Sequence, residues 1–170
     1  MIRQLQQGDQ EEARRLLFEV KAGLKDHQWS ERYPNEQHLL LDLGRQELFG
    51  LFLDGRLSAL MTLTQDSAGT ASCFEWAEDQ LFLKRMMTSP LKRNHGAAQH
   101  LLQFAIEFAG MSGRSGVAVV TEQKNGIMQH LLSKAGFELL AERDIEMSER
   151  NGHFLAFQRI IGVPTPFLLE

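Results

Sequence analysis

The chain has 170 residues, 43% of them hydrophobic and 24% charged, a balance that fits one globular domain with a sizeable core. Its formal net charge is only -4 and no Lys/Arg block stands out, which argues against nucleic acid as a partner and gives cationic amines a faint preference. Cys73 is the only cysteine, so no internal disulfide or cysteine zinc cluster can form, and a reducing, cytoplasmic setting is expected.

The opening Met1-Ile2-Arg3-Gln4-Leu5-Gln6-Gln7 lacks the apolar core of a signal peptide, and no apolar run is long enough to cross a membrane. Ile2 to Leu5 reads as a first strand. Ala13, Leu16, Leu17, Val20 and Leu24 follow helical spacing behind Asp9, the predicted N-cap. Pro34 breaks the segment from His27 onward, and a second helix is predicted from Glu36 to Leu43, ending at Gly44. Leu48 to Leu53 and Leu57 to Leu63 form a predicted hairpin across Asp54-Gly55. Gln65 to Ser72 is a polar loop, and Leu81 to Thr88 a long strand.

Ala98, Leu101, Leu102, Ala105, Ile106 and Ala109 mark the apolar stripe of another helix. After the glycine-containing loop Gly110 to Gly116, the run Val117-Ala118-Val119-Val120 predicts a strand covered on both faces. Asn125 to Lys134 is a helix stopped by Gly136, and Leu139 to Met147 pairs with Phe154 to Ile161 across a turn placed at Asn151-Gly152. The order predicts one mixed α/β sheet with helices on both faces over residues 1–161, followed by an irregular tail, residues 162–170.

The segment Met86-Met87-Thr88-Ser89-Pro90-Leu91-Lys92-Arg93-Asn94-His95-Gly96-Ala97-Ala98 carries the strongest chemical signal. An apolar strand stops, a turn follows, and Gly96 and Ala98 stand where a helix begins. Such a turn leaves backbone N–H groups unpaired at the positive end of a helix dipole, a seat for phosphate. A nucleotide-binding Rossmann fingerprint would place its glycines after the first strand and an acidic residue about 20 residues later; neither is present. The histidines His27, His38, His100, His130 and His153 show no metal-ligand spacing, and no metal is expected. Met86, Met87 and Met128 suit core filling.

Two motifs resemble the GNAT superfamily of acyl-CoA-dependent N-acyltransferases. Arg93-Asn94-His95-Gly96-Ala97-Ala98 is similar to its cofactor pattern Arg/Gln-x-x-Gly-x-Gly/Ala. Asn125, followed eleven and twelve residues on by Gly136-Phe137, is similar to its later motif. The resemblance implies a mostly antiparallel sheet with one splayed parallel strand pair, and acetyl-CoA as cosubstrate. It implies that backbone groups from Asn94 to Ala98 hold the pyrophosphate, with Arg93 adding charge and His95 either touching phosphate or solvated. Backbone groups of Met87 and Thr88 would pair with pantetheine and polarise the thioester carbonyl, and Asn125 would bond the pantetheine or phosphate region. Gln28-Trp29, Tyr33-Pro34, Trp76 and Lys84-Arg85 resemble a bacterial subgroup in which this region lines the acceptor pocket. Trp29, Tyr33 and Trp76 would then form an aromatic wall; packing of the interhelical break explains Trp29 and Tyr33 equally well.

The family's general-acid tyrosine falls on Leu132, which cannot donate a proton. Tyr33, the only tyrosine of the chain, is the remaining tyrosine acid. A general acid contributes roughly 10²–10⁴-fold, so its loss is not fatal to catalysis. Glu75, with Glu78 and Asp79 nearby, is the expected base. The expected function is acetyl transfer from acetyl-CoA to a primary amine of a small molecule or peptide. The alternative is a non-catalytic acyl-CoA-binding regulatory module. A homodimer fits the family's habits; the apolar tail Pro166-Phe167-Leu168-Leu169 can pack on a neighbour or lie on its own sheet.

Overall fold

Alternating and continuous apolar runs produce seven strands, and stripes of helical period produce four helices that cover them. A computed structural model of the chain describes residues 1–23, 29–30, 32–92 and 96–162. In chain order the elements are β1 (Ile2–Gln4), α1 (Gln10–Gly23), α2 (Glu36–Gly44), β2 (Leu48–Leu53), β3 (Arg56–Thr64), β4 (Gln80–Thr88), α3 (Ala97–Met111), β5 (Gly116–Glu122), α4 (Gly126–Lys134), β6 (Glu138–Glu146) and β7 (Asn151–Ile160). All seven strands hydrogen-bond in one sheet of order β1-β2-β3-β4-β5-β7-β6. Only β4 and β5 run parallel. This is the mixed sheet with one parallel pair that the resemblance implies.

Side-chain alternation along β3 divides the core. Ala59, Met61 and Leu63 face α3 and α4, where Leu101, Leu102, Ala105 and Leu132 pack on them. Leu57 and Leu60 face α1 and α2, against Leu16, Leu17, Val20, Leu39 and Leu43. Strands covered on both sides lose the in/out polarity that an exposed sheet face would impose, hence the apolar runs of the sequence. Each leucine so buried contributes about 1.5–3 kcal/mol.

Two local features differ from the sequence reading. Asp9 is not an N-cap. It ends a 3-10 turn, Gln7–Asp9, that leads into α1, and the N-cap of that turn is Gln6. Asp9 is drawn in because its carboxylate accepts the Gln6 N–H at 2.7 Å and the Arg3 guanidinium at 2.8 and 2.9 Å. The last hairpin does not turn at Asn151-Gly152. Its turn is Met147 to Arg150, closed by the Met147 N–H donating to Arg150 O at 3.0 Å and to Asn151 Oδ1 at 2.9 Å. Gly152 lies within β7 opposite Ile145, where a Cβ would stand 3.0 Å from Glu122 Oε1. That glycine makes room for a neighbouring side chain rather than for a turn. Asp54 and Gly55 do form the predicted turn, with φ of 51° and 75°. The polar loop Gln65 to Ser72 runs into a 3-10 turn, Gly69–Cys73. Leu24, part of the predicted stripe of α1, and the tail from residue 163 lie outside the described residues.

Gly116 starts β5 between β4 and β7, and a Cβ there would lie 2.3 Å from the Arg159 carbonyl oxygen and 3.1 Å from Gln80 Oε1. Backbone cannot yield as a side chain can. Gly116→Ala is expected to destabilise the fold by about 2 kcal/mol, read as a lower denaturation midpoint in urea; an unchanged midpoint would refute the close packing of β7 on β5.

Candidate active site at the β4/β5 gap

The parallel pairing of β4 and β5 covers only four residues a side, from Gln80 opposite Gly116 to Leu83 opposite Val119. Both strands continue, β4 to Thr88 and β5 to Glu122, without pairing further. A β-bulge causes the departure. Leu60 of β3 pairs with Met87 and Thr62 with Lys84, so Arg85 and Met86 together oppose Met61. Arg85 takes the left-handed conformation, φ 52°, an arrangement that costs a non-glycine residue about 1–3 kcal/mol.

Arg85 is held there by an ion pair. Its Nε and Nη2 donate to Asp42 Oδ2 and Oδ1 at 2.7 and 2.8 Å, and Nη1 donates to the Tyr33 hydroxyl at 3.1 Å. Asp42 is 2% exposed and also accepts from Thr62 Oγ1 at 2.6 Å. Burial opposes the Arg85 charge, but Tyr33 and Asp42 outweigh it and hold the guanidinium above its ordinary pKa. Bidentate geometry makes this a strong pair. Tyr33 in turn meets the ring of His38 edge-on at 5.0 Å, and Arg150 lies over the Tyr33 ring at 4.6 Å. His38 Nδ1 accepts the Asn35 N–H at 2.9 Å, which leaves Nε2 as the donor to Glu149 at 3.2 Å.

A cleft of about 1120 Å³ passes through the gap. Its wall includes Asp42 and Tyr33 on the α2 side of the sheet and Met128 and Leu131 on the α4 side. Between them run the stretches of β4 and β5 that no longer pair with each other. Met87 buries its side chain among α1 and α2 residues, so what β4 offers the cleft at Met87 and Thr88 is a backbone edge. That edge can pair with an extended ligand as another strand would. At one end of the cleft α3 begins. Gly96, at φ 74° and with no side-chain cap, precedes Ala97 and Ala98, and no acidic residue occupies the first turn. All three residues line the cleft, which suits phosphate. Gly96 is required for its φ, since a Cβ there would meet nothing nearer than 3.9 Å. Arg93, Asn94 and His95 lie outside the described residues.

Asn125 lines the cleft as N-cap of α4, its side-chain oxygen accepting the Met128 N–H at 3.1 Å. Trp29 and Tyr33 also line it. Glu75 and Trp76 do not. Trp76 packs between Phe74 and Phe82 and donates to Ala71 O at 2.8 Å, which turns it into the core; Glu75 is exposed. Neither the base expected at Glu75 nor the aromatic-wall residue expected at Trp76 is thus among the residues that line the cleft. Leu132 is fully buried beneath the cleft floor residues of α4. Among the described residues no group of three His, Cys, Asp or Glu could hold a metal ion, and no helix is long and apolar enough to cross a membrane.

The sequence reading passed over Asp42, Glu122 and Arg150, and weighed His38 only as a metal ligand. Asp42 carried a readable signal: a carboxylate inside the leucine run of α2, Leu39-Leu40-Leu41-Asp42-Leu43, must meet a partner if the stripe is buried. Arg85 within an apolar strand carried the same signal. Glu122 and Arg150 carried none, because their positions depend on how β5 and the last hairpin close.

The region from 11 to 137 matches the family model described as Acetyltransferase (GNAT) family. Solved structures agree in fold. An acetyltransferase of the GNAT family from Streptococcus agalactiae is 24% identical, with 95% of each chain covered and a TM-score of 0.78. A ribosomal-protein-alanine N-acetyltransferase from Brucella melitensis is 16% identical over 95% of this chain and 99% of that one, TM-score 0.74. A Salmonella typhimurium protein solved with its cofactor acetyl-CoA is 14% identical over 94% and 92%, TM-score 0.71. Comparison with the curated proteins gives no match. The chain belongs to the GNAT acetyltransferase family, and acetyl-CoA is its cosubstrate.

Two outcomes test this geometry. Asp42→Ala leaves the Arg85 guanidinium buried and uncompensated, and a loss of about 3–5 kcal/mol is expected in denaturant unfolding; a loss below 1 kcal/mol would show that the pair does not hold the bulge. Lys84, which donates to Ala68 O at 2.8 Å, is lowered by burial, with Arg85 adding to the effect, from 10.5 to about 8. Between these values the unfolded chain keeps the proton that the folded chain has shed. The stability of the wild type relative to Lys84→Met therefore climbs with pH from about 8 to 10.5; a flat difference across that window would contradict the burial of Lys84.

Proposed function

We propose that the protein is a cytoplasmic N-acetyltransferase that carries the acetyl group of acetyl-CoA to a primary amine of a small molecule or peptide. The observation that carries this reading is the cleft through the β4/β5 gap, which joins the start of α3, without a side-chain cap among the described residues, to the polar cluster around Tyr33. The residues present fit the cosubstrate: small residues and free helix N–H groups for pyrophosphate, an unpaired strand edge for pantetheine.

When bound, acetyl-CoA supplies a thioester whose acetyl carbon an amine can attack. A backbone N–H of the Met87–Thr88 stretch polarises the carbonyl. Glu122, at the end of β5 in the cleft wall, takes through water the proton that the acceptor nitrogen sheds as it bonds to the acetyl carbon. Tyr33 gives a proton to sulfur as the carbon–sulfur bond breaks, its oxygen positioned by Arg85. Glu122 replaces Glu75 in this role because it faces the cleft.

Thermal shift and CoA release with a panel of amino acids, polyamines and peptides test the reading. Acetyl-CoA should raise the melting midpoint, and at least one amine should release CoA; binding without transfer to any amine would favour a regulatory acyl-CoA-binding module. Ala98→Glu puts bulk and negative charge at the helix start and should weaken acetyl-CoA binding at least tenfold, as measured by calorimetry, without lowering the ligand-free midpoint. Tyr33→Phe should lower kcat by roughly 10²–10⁴-fold with the acetyl-CoA affinity kept; an unaltered kcat removes Tyr33 as the acid.

A further inference from the structure

Arg150 closes the turn between β6 and β7 and lines the cleft at its Tyr33 end. Its guanidinium lies over two rings, 4.6 Å from the centroid of Tyr33 and 4.9 Å from that of Phe154. The other two arginines of the cleft wall are paired: Arg85 with Asp42 at 2.7 Å, and Arg45 with Asp66 at 3.7 Å. Among the described residues no carboxylate lies within ion-pair distance of Arg150. Glu122 acts on it only from farther away, and burial pushes its pKa below the ordinary arginine value.

A guanidinium presents five N–H donors. The faces of two rings and the Tyr33 hydroxyl leave most of them without an acceptor. A cation taken from water in this way is costly until an anion meets it. The two rings hold the guanidinium in place, and its planar fork matches the two oxygens of a carboxylate. One positive charge without an ion-pair partner among the described residues balances one negative charge, which favours a carboxylate over a phosphate dianion.

The location sets the rest of the ligand. Tyr33 touches both Arg150 and Arg85, and Arg85 lies two residues before Met87 on the strand that faces the reacting carbonyl. An anion on Arg150 and an amine at that carbonyl are therefore within the reach of one small molecule. We propose that Arg150 is a carboxylate-binding residue and that the acceptor is a small amino acid or amino-carboxylate, rather than a polyamine or a neutral amine. This rests on the N-acetyltransferase reading above and narrows its acceptor class.

The test compares the standard L-amino acids with their carboxamides and decarboxylated amines, together with polyamines and short peptides, as acceptors for acetyl-CoA. The expected result is at least one amino acid whose kcat/KM exceeds that of its carboxamide tenfold or more. In Arg150→Gln that preference should collapse to about one through a higher KM, while acetyl-CoA affinity and the melting midpoint stay as controls for folding. Arg150→Lys, with the charge but not the fork, should keep part of the preference. If carboxamides, amines or peptides serve equally well, or if Arg150→Gln keeps the preference, the carboxylate site is overturned and the N-acetyltransferase reading stands. If acetyl-CoA binds and no acceptor of any class is used, both fall.

Discussion

Arg85 and Asp42 meet where β4 parts from β5, and the candidate site is built around that contact. The bulge needs Arg85 in a conformation that side chains rarely take, and the buried carboxylate of Asp42 supplies the compensating pair from α2. Thr62 joins from β3 and Tyr33 from the segment before α2. One interaction thereby ties a helix, two strands and an irregular segment to the same point of the sheet. A neutral residue at either position would leave the other as an unpaired buried charge, so the two are constrained together.

The bulge also creates the cleft. A parallel pair that kept its register to the end of both strands would close the sheet, and the two helical layers would share no space. Because pairing stops at Leu83 and Val119, the backbone of β4 beyond that point is free to bind a ligand instead of a strand. The start of α3 lies at one end of the opening, and the aromatic and charged cluster of Tyr33, His38 and Arg150 at the other. The cleft thus reaches the same stretch of β4 from both faces of the sheet.

Which parts were legible follows from range. The helical stripes of α1 and α3, the apolar runs of β3 and β5 and the Asp54-Gly55 turn are set by neighbours a few residues apart, and they appear in the sequence as periodicity and turn chemistry. Asn151-Gly152 shows how that reasoning fails: a pair typical of turns lies in a strand, where Gly152 has a φ of 150° and sits against Glu122, thirty residues away. Glu75 and Trp76 show it again. Next to the cofactor strand in sequence, they are carried away from the cleft by the packing of Trp76 on Phe74 and Phe82.

The sequence by itself determined the element order, the phosphate-suited start of α3 and the family, because each is encoded in short stretches of fixed spacing. It also established that Leu132 cannot serve as an acid. Only the tertiary structure decided which charges share the cleft, since Asp42, Arg85, Glu122 and Arg150 come from four separate elements. Their separation in the chain carries no periodic trace; they are brought together by the bulge in β4 and the closing of the last hairpin. The end of the cleft at α3, made mostly of backbone, could be read from a motif, whereas the end around Tyr33, made of side chains converging over long range, could not.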